Sequence, residues 1–129
     1  MNAGGNFIQI TPVMWVPDLG AAVAFFVDLL GFRVLVQGGG YAYVQRETVG
    51  VRIMDRTIYA DVAPGDRRFA HYIDVRDVDA LYAELKPKLD ALPSADVHGP
   101  ADKPYGQREL CILAPDGDLV VFGQAIGNG

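Results

Sequence analysis

Side chains that commonly perform covalent or metal chemistry are few in this chain of 129 residues. It contains one cysteine, Cys111, and two histidines, His71 and His98. Cys111 lies among apolar neighbours in a strand-like run, where a thiol packs as a small hydrophobic group. His98 precedes Gly99-Pro100 and is expected in a loop. No histidine lies near Ser94 at a spacing typical of a Ser-His nucleophile, so covalent catalysis is not indicated.

Charge and composition restrict the class of partner. The formal net charge of -5 disfavours nucleic acid, because phosphate binding needs a basic face. The acidity favours a positively charged small ligand, although acidity on its own more often serves only to keep a protein in solution. The chain shows no export signal and no apolar run long enough to cross a bilayer, so no membrane partner is expected. A single cysteine is typical of the reducing cytoplasm.

The elements that would position any site are indicated by an internal repeat at an offset of 59 residues. Asp18 and Asp77 each follow an apolar, strand-like run, and each can cap the first N–H groups of a helix. Apolar residues then recur at helical spacing over 19–30 and over 78–89. Pro87 is expected to end or kink the second helix.

Short strand candidates follow each helix: 32–37, 41–47 and 49–55 in the first half, and 95–98, 107–113 and 119–124 in the second. The run Gly38-Gly39-Gly40 joins two of these strands, so we predict a hairpin turn rather than a phosphate loop. The order β-α-β-β-β is thus predicted twice. We expect one domain over 1–129, built of module 7–57 and module 67–125 with linker 58–66.

The chain resembles the vicinal oxygen chelate superfamily, which comprises glyoxalases, bleomycin-resistance proteins and dioxygenases. The resemblance depends on Thr11-Pro12-Val13 to Asp18-Leu19, Ala24-Phe25-Phe26 to Leu30-Gly31-Phe32, Tyr105-Gly106-Gln107-Arg108-Glu109 and Pro115-Asp116-Gly117. The last two blocks are most similar to the bleomycin-resistance branch. The resemblance implies an α+β fold of two β-α-β-β-β modules, whose curved mixed sheets form a concave cleft.

In the enzymes of this superfamily, the concave faces supply four metal ligands, typically His, Gln or Glu. Counting along the matched segments puts these positions at Thr11, Ala70, Val121 and either Arg52 or Met54. None of these side chains is an ordinary ligand for a divalent metal. If Ala70 faces the cleft, strand alternation turns His71 toward the helix side or solvent. We therefore expect no metal, no cofactor and no catalytic residues.

A binding cleft with aromatic walls is the remaining prediction. The predicted ligand-binding residues are Trp15, Tyr41, Tyr72, Asp74, Tyr105 and Glu109. The resemblance implies that Tyr41 and Tyr105 stack a flat ligand in clefts between two chains. Trp15 and Tyr72 would enlarge this wall, and the two carboxylates would add negative charge. Ordinary core filling is the alternative interpretation of each aromatic residue.

These predictions favour a metal-free homodimer that sequesters a planar aromatic antibiotic or natural product, with or without a cationic group. One alternative is a metal-dependent glyoxalase, lyase or dioxygenase-like enzyme that uses a ligand set in another register. A second alternative is a passive dimerisation module without a ligand. Bound metal would favour the first alternative, and failure to bind any ligand would favour the second.

Overall fold

A computed structural model of the chain describes residues 5–6, 8–57, 69–115 and 117–127. The predicted linker 58–66 lies outside these residues. Within the described ranges, no helix has the length and apolar character needed to cross a membrane.

The N-terminal sheet contains four strands: β1 (Val13–Val16), β2 (Arg33–Gly38), β3 (Tyr41–Arg46) and β4 (Val49–Asp55). Their order in the sheet is β1-β4-β3-β2. β1 runs parallel to β4, whereas the other pairs are antiparallel. A parallel arrangement needs a long crossover, and the first helix supplies it. This helix is α1 (Leu19–Ala24), which continues as a π-helical segment, Phe25–Leu29.

The C-terminal sheet repeats this arrangement with β5 (Ala70–Asp74), β6 (Val97–Lys103), β7 (Gln107–Leu113) and β8 (Leu119–Ala125). Its order is β5-β8-β7-β6, with β5 parallel to β8. The crossover after β5 contains α2 (Val78–Leu89). Two four-stranded mixed sheets with few helices confirm the predicted α+β fold class.

Both helices begin where the sequence predicts. The Asp18 side chain accepts a hydrogen bond from the Ala21 N–H at 3.0 Å, and Asp77 accepts one from the Ala80 N–H at 2.9 Å. Each aspartate thereby satisfies one N–H of the first turn, which has no partner within the helix.

Of the two effects expected of Pro87, an end or a kink, the helix does not end there, because α2 continues to Leu89. A proline in a helix lacks one N–H and crowds the preceding turn. Here the helix is held by its apolar side, since Leu85 and Leu89 are both buried in the core. The Asp90 N–H also donates to the Lys86 carbonyl at 2.9 Å, which closes the last turn beyond the proline.

The weak strand predicted at 95–98 lies later in the chain. Ser94–Asp96 form a 3₁₀ turn, and β6 begins at Val97. His98 therefore lies on a strand opposite Cys111, and its predicted loop position is wrong. Gly and Pro in the following residues obscure this strand in the sequence, because both are depleted in strands. Its pairing with β7 overrides that preference.

The hydrophobic core lies between the helices and one face of each sheet. The buried strand residues on this face are Met14, Val16, Ala42, Val44, Val51 and Ile53 in the N-terminal sheet, and Leu110, Ile112, Val120 and Phe122 in the C-terminal sheet. Because strand side chains alternate, the residues between them point to the opposite face. We call this the open face of each sheet, and it corresponds to the predicted concave surface.

Ion pairing joins the two halves of the chain. The Arg46 side chain at the end of β3 donates to the Leu30 carbonyl at 2.8 Å and to the Glu84 carboxylate on α2 at 2.8 Å. The hydrogen bond to Glu84 raises the pKa of Arg46, and the same bond lowers the pKa of Glu84. This contact fixes α2 against the N-terminal sheet on the helix side, so it does not occupy the open faces.

Candidate ligand-binding site

The open face of the C-terminal sheet carries a hydrogen-bonded cluster around one carboxylate. Glu109 on β7 is only 6% exposed. One of its oxygens accepts from the Tyr72 hydroxyl at 2.9 Å, and the other accepts from the Tyr105 hydroxyl at 2.9 Å. The Tyr72 hydroxyl oxygen also lies 2.9 Å from the side-chain oxygen of Gln107. Three of the predicted residues therefore form one cluster together with Gln107, and we call it the Tyr-Glu cluster (Tyr72, Tyr105, Gln107 and Glu109).

The adjacent pair Arg108-Glu109 is divided between the two faces of β7. Arg108 points to the helix side, where its guanidinium bonds Asp79 at 3.0 Å and Asp102 at 2.9 Å. Glu109 points to the open face. In the described part of the chain, no lysine or arginine forms an ion pair with Glu109. Its negative charge is thus stabilised by two neutral phenols instead of a cation.

Gly123 on β8 makes room for the Tyr72 ring. A Cβ atom at this position would lie 1.9 Å from the Tyr72 hydroxyl oxygen and 2.3 Å from ring carbon Cζ. Real carbon atoms cannot approach so closely, so the ring needs glycine beneath it. The glycine lets the Tyr72 ring cross β8 and reach Glu109, which opposes Gly123 on the neighbouring strand.

The ionisation of the cluster follows from this packing. Partial burial of the phenol, together with the hydrogen bond to Glu109, raises the pKa of Tyr72 to about 12. The hydrogen bond to Glu109 also raises the pKa of Tyr105. Both phenols therefore remain protonated at neutral pH and act as hydrogen-bond donors. Burial and the nearby Glu109 charge raise the pKa of the Cys111 thiol, which makes it a weak nucleophile.

The open face of the N-terminal sheet carries a second cluster, around an arginine. The Arg52 guanidinium on β4 donates to the Tyr41 hydroxyl at 2.6 Å. Its central carbon also lies 5.1 Å from the centre of the Tyr43 ring, a distance typical of a cation–π contact. Trp15 on β1 points to the same face and opposes Met54. We call this group the Tyr-Arg cluster (Tyr41, Tyr43 and Arg52).

A glycine again lies beneath an aromatic ring in this cluster. A Cβ atom at Gly50 would lie 2.2 Å from the Tyr43 hydroxyl oxygen. Tyr43 therefore lies over β4 much as Tyr72 lies over β8. Each sheet thus carries on its open face a tyrosine ring that crosses a glycine of the neighbouring strand.

Strand pairing shows whether Arg52 or Met54 occupies the fourth position at which enzymes of the superfamily hold a metal ligand. Val13 opposes Arg52 in the N-terminal sheet, and Tyr72 opposes Val121 in the C-terminal sheet. Val13 and Tyr72 are separated by the same 59 residues as the two helix caps. Arg52 is therefore the counterpart of Val121.

The four counted positions do not fit a divalent metal. Thr11 precedes β1, Ala70 begins β5, and Val121 is buried in β8. Alanine and valine have no donor atom, and the Arg52 guanidinium repels cations. Within the residues that the structure describes, no three His, Cys, Asp or Glu side chains are grouped closely enough to hold a metal ion. The available side chains thus disagree with the metal chemistry that the resemblance implies for enzymes.

His71 lies on the helix side of β5, as strand alternation predicts. Its Nε2 atom is 2.9 Å from a carboxylate oxygen of the buried Asp118. The second oxygen of Asp118 accepts from the Phe69 N–H at 3.1 Å. This pair joins the start of β5 to the start of β8 and faces away from both open-face clusters.

A groove of about 500 Å³ lies where the two halves of the chain meet. Thr11 and Ala70 both contribute to its wall, together with Tyr72 and Asp74. Asp74 ends β5 with an exposed side chain, and its charge contributes to the raised pKa of Tyr72. It is therefore close enough to the Tyr-Glu cluster to add negative potential there.

The structure divides the six predicted residues between the two sheets. Tyr72, Asp74, Tyr105 and Glu109 belong to the C-terminal sheet or its β6–β7 turn, whereas Trp15 and Tyr41 belong to the N-terminal sheet. In the described ranges, every hydrogen bond of the two clusters stays within its own sheet. Sequence reasoning did not include Tyr43, Arg52 or Gln107 among the binding residues. The spacing Tyr41-x-Tyr43 was the available signal, since alternate strand residues share a face.

The family model of the Glyoxalase/Bleomycin resistance protein/Dioxygenase superfamily matches residues 8–122. A bleomycin resistance protein of Geobacillus stearothermophilus is 24% identical over 132 residues, which covers 92% of this chain and 98% of that protein. The bleomycin-binding protein of bleomycin-producing Streptomyces verticillus, solved with copper(II)-bleomycin, is 30% identical with a TM-score of 0.73. That alignment covers 94% of this chain and 98% of the other.

The same fold also supports enzymes. A lactoylglutathione lyase of Agrobacterium tumefaciens has a TM-score of 0.71 at 20% identity, covering 93% of this chain and 96% of the other. This similarity shows the fold alone. The family match and the relatives together show that the chain belongs to the Glyoxalase/Bleomycin resistance protein/Dioxygenase superfamily, where it matches the bleomycin-resistance-like branch.

Proposed function

We propose that this protein binds and sequesters a planar aromatic small molecule bearing a cationic group, without converting it. The observation that supports this most directly is the buried carboxylate of Glu109, which has two tyrosine donors and no cation in the described structure. A buried negative charge without a cationic partner is costly unless a ligand compensates it. An ammonium or amidinium group on the ligand would do so.

The tyrosines around Glu109 suit such a ligand. Tyr72 is 46% exposed and Tyr105 is 65% exposed, so both rings are accessible although their hydroxyls are engaged. Aromatic pairs contribute about 0.5–1.5 kcal/mol beyond burial, and a cation over a ring adds a comparable amount. A flat cationic ligand would gain both terms together with the charge of Glu109.

A homodimer is part of the proposal. Ile8 and Ile10, which precede β1, are 90% and 96% exposed. Apolar side chains this exposed, and close together, commonly mark a protein interface. A second copy that covered them would lie beside Thr11 and the groove where the two halves meet. The cleft is then completed by two chains, which agrees with the separation of the two clusters within one chain.

Binding is tested with metal-free bleomycin, the ligand named for the relatives, and with a series of planar heteroaromatic cations. Trp15 is the only tryptophan and belongs to an open face, so quenching of its fluorescence reports occupation of the cleft. Glu109→Gln is expected to weaken binding of the cations by about tenfold or more, because charged hydrogen bonds contribute about 1.5–3 kcal/mol. Glu47→Gln removes the same charge at an exposed turn and is expected to leave binding unchanged.

Two results would overturn this proposal. Absence of binding and of any thermal stabilisation across the series would favour a module that only dimerises, since a ligand of the folded state must raise the melting temperature. A stoichiometric divalent metal in the purified protein, or recovery of a chemically altered ligand, would favour the metal-dependent enzyme. Elemental analysis and mass spectrometry of the recovered ligand distinguish these outcomes.

A further inference from the structure

Arg52 contacts two tyrosines but has no acidic partner in the described part of the chain. Its guanidinium donates one hydrogen bond to Tyr41 at 2.6 Å and stacks over Tyr43, both of which are uncharged groups. In the described structure no carboxylate pairs with it. By contrast, the strand arginines Arg46 and Arg108 both pair with acidic side chains at 2.8–3.0 Å.

This arrangement suits recognition of an anion. A guanidinium has five N–H donors in a planar fork, and the bond to Tyr41 occupies one of them. The remaining donors lie on an exposed side chain at the open face. The two tyrosines already restrict the conformation of the Arg52 side chain. Binding of an oxyanion would therefore cost less side-chain entropy than at an arginine that makes no such contacts.

The two open faces therefore differ in charge. The C-terminal face presents the carboxylates of Glu109 and Asp74 and one cation, Lys103, opposite Gln107, whereas the N-terminal face presents the guanidinium of Arg52. On both faces a tyrosine ring crosses a glycine of the neighbouring strand. A flat ligand that contacts both faces would thus meet opposite charges at its two ends.

We propose that Arg52 recognises an anionic oxygen, such as a carboxylate or phenolate, on the ligand whose cationic group Glu109 binds. The ligand is then a dipolar heteroaromatic compound, acidic at one end and basic at the other. This inference rests on the proposed function, because it assigns the chemical class of ligand for the same cleft. It gives Arg52, Tyr41 and Tyr43 the role of determining which aromatic cations are accepted.

Two fragments with the same ring and opposite charge test the inference: quinoline-4-carboxylate and 4-aminoquinoline. Each is titrated into isotope-labelled protein, and amide shifts are followed by two-dimensional NMR. The anion is expected to shift amides of the Tyr-Arg cluster, and the cation those of the Tyr-Glu cluster. Neutral quinoline is expected to bind more weakly than either, because it gains stacking without charge pairing.

Substitution of Arg52 provides the control for charge. Arg52→Gln is expected to raise the Kd of the carboxylate by about tenfold and to change that of 4-aminoquinoline by less than about twofold. Arg52→Lys, which keeps the positive charge, is expected to retain part of the affinity. Arg76→Gln removes an exposed arginine after β5 and is expected to affect neither fragment. Thermal unfolding verifies that each variant is folded.

The outcomes separate this inference from the proposed function. If 4-aminoquinoline binds the Tyr-Glu cluster while the carboxylate shifts no residue near Arg52, the inference is wrong and the proposed function stands. Equal effects of Arg52→Gln and Arg76→Gln on the carboxylate would likewise reject it, since they would indicate only a general charge effect. If no fragment gives saturable shifts on either face, both proposals are wrong.

Discussion

Glu109 and Tyr72 influence each other through a hydrogen bond of 2.9 Å on the open face of the C-terminal sheet. The carboxylate accepts from the phenol only while the phenol keeps its proton. Ionisation of Tyr72 would bring a second negative charge against Glu109, with Asp74 close by. Partial burial of the phenol, together with the hydrogen bond to Glu109 and these nearby charges, therefore raises the pKa of Tyr72.

The pH dependence of this phenol has a definite sign. Its pKa rises from 10.0 to about 12 on folding, so the folded state favours the protonated form. The resulting stabilisation is fully present below pH 10.0 and is lost as the pH rises toward about 12. In an alkaline titration followed by tyrosinate absorbance, Tyr72→Phe is expected to remove a late-ionising phenol, whereas Tyr82→Phe is expected to leave it. An unchanged late phase in Tyr72→Phe would contradict the assignment.

At the scale of residues, the structure brings together three of the side chains predicted for the binding cleft, whose part in binding stays a prediction. Glu109, Tyr72 and Tyr105 were predicted together, and the structure joins them through hydrogen bonds. The role of Arg52 was not accessible in this way. Its proposed role depends on its contact with Tyr43, which opposes it on the neighbouring strand. Residues that oppose each other across two strands cannot be identified from the sequence unless the register of strand pairing is known.

At the scale of elements, local signals predicted the helices and most strands. The two aspartate caps act within a single turn, so their residue types were sufficient. β6 was placed too early, because its start is determined by pairing with β7, and that pairing is a long-range contact. The open-face glycines were also missed. Gly50 and Gly123 lie within strands where the sequence shows no turn, and only packing explains them.

Gly123→Ala tests the packing of Tyr72 on β8. The new Cβ must displace the ring, since it would lie 1.9 Å from the hydroxyl oxygen, and the bond to Glu109 would be lost. We expect destabilisation by about 1–3 kcal/mol in urea denaturation, as is typical of overpacking. Gly20→Ala is the matched control, because its Cβ would lie 3.5 Å from the nearest atom and alanine favours a helix.

A double-mutant cycle then identifies the cause. In a Tyr72→Ala background the ring is absent, so Gly123→Ala is expected to cost less than about 0.5 kcal/mol. An equal cost in both backgrounds would show that the glycine is needed for the backbone of β8 instead of the ring. The coupling free energy therefore measures how strongly the Tyr72 ring depends on the absence of a side chain at position 123.

At the scale of the whole molecule, each chain has two open faces that differ in charge. It also has a solvent-exposed apolar segment, Ile8 and Ile10, before β1. Ile8 and Ile10 are 90% and 96% exposed, and Val34, Leu35 and Val36 of the edge strand β2 are 38%, 43% and 54% exposed. Edge strands with apolar side chains tend to associate unless they are covered. A two-fold dimer would cover such surfaces on both chains at once.

Dimerisation and ligand binding are expected to be lost together. Replacing Ile8 and Ile10 with lysine introduces charge into the apolar segment, so sedimentation should show a monomer with an unchanged far-ultraviolet circular dichroism spectrum. Lysines at Ala24 and Ala83, which are exposed on the helices, provide a charge-matched control that should remain dimeric. If two chains complete the cleft, the monomer should bind 4-aminoquinoline at least about tenfold more weakly. A folded monomer with undiminished affinity would show that one chain contains the whole site.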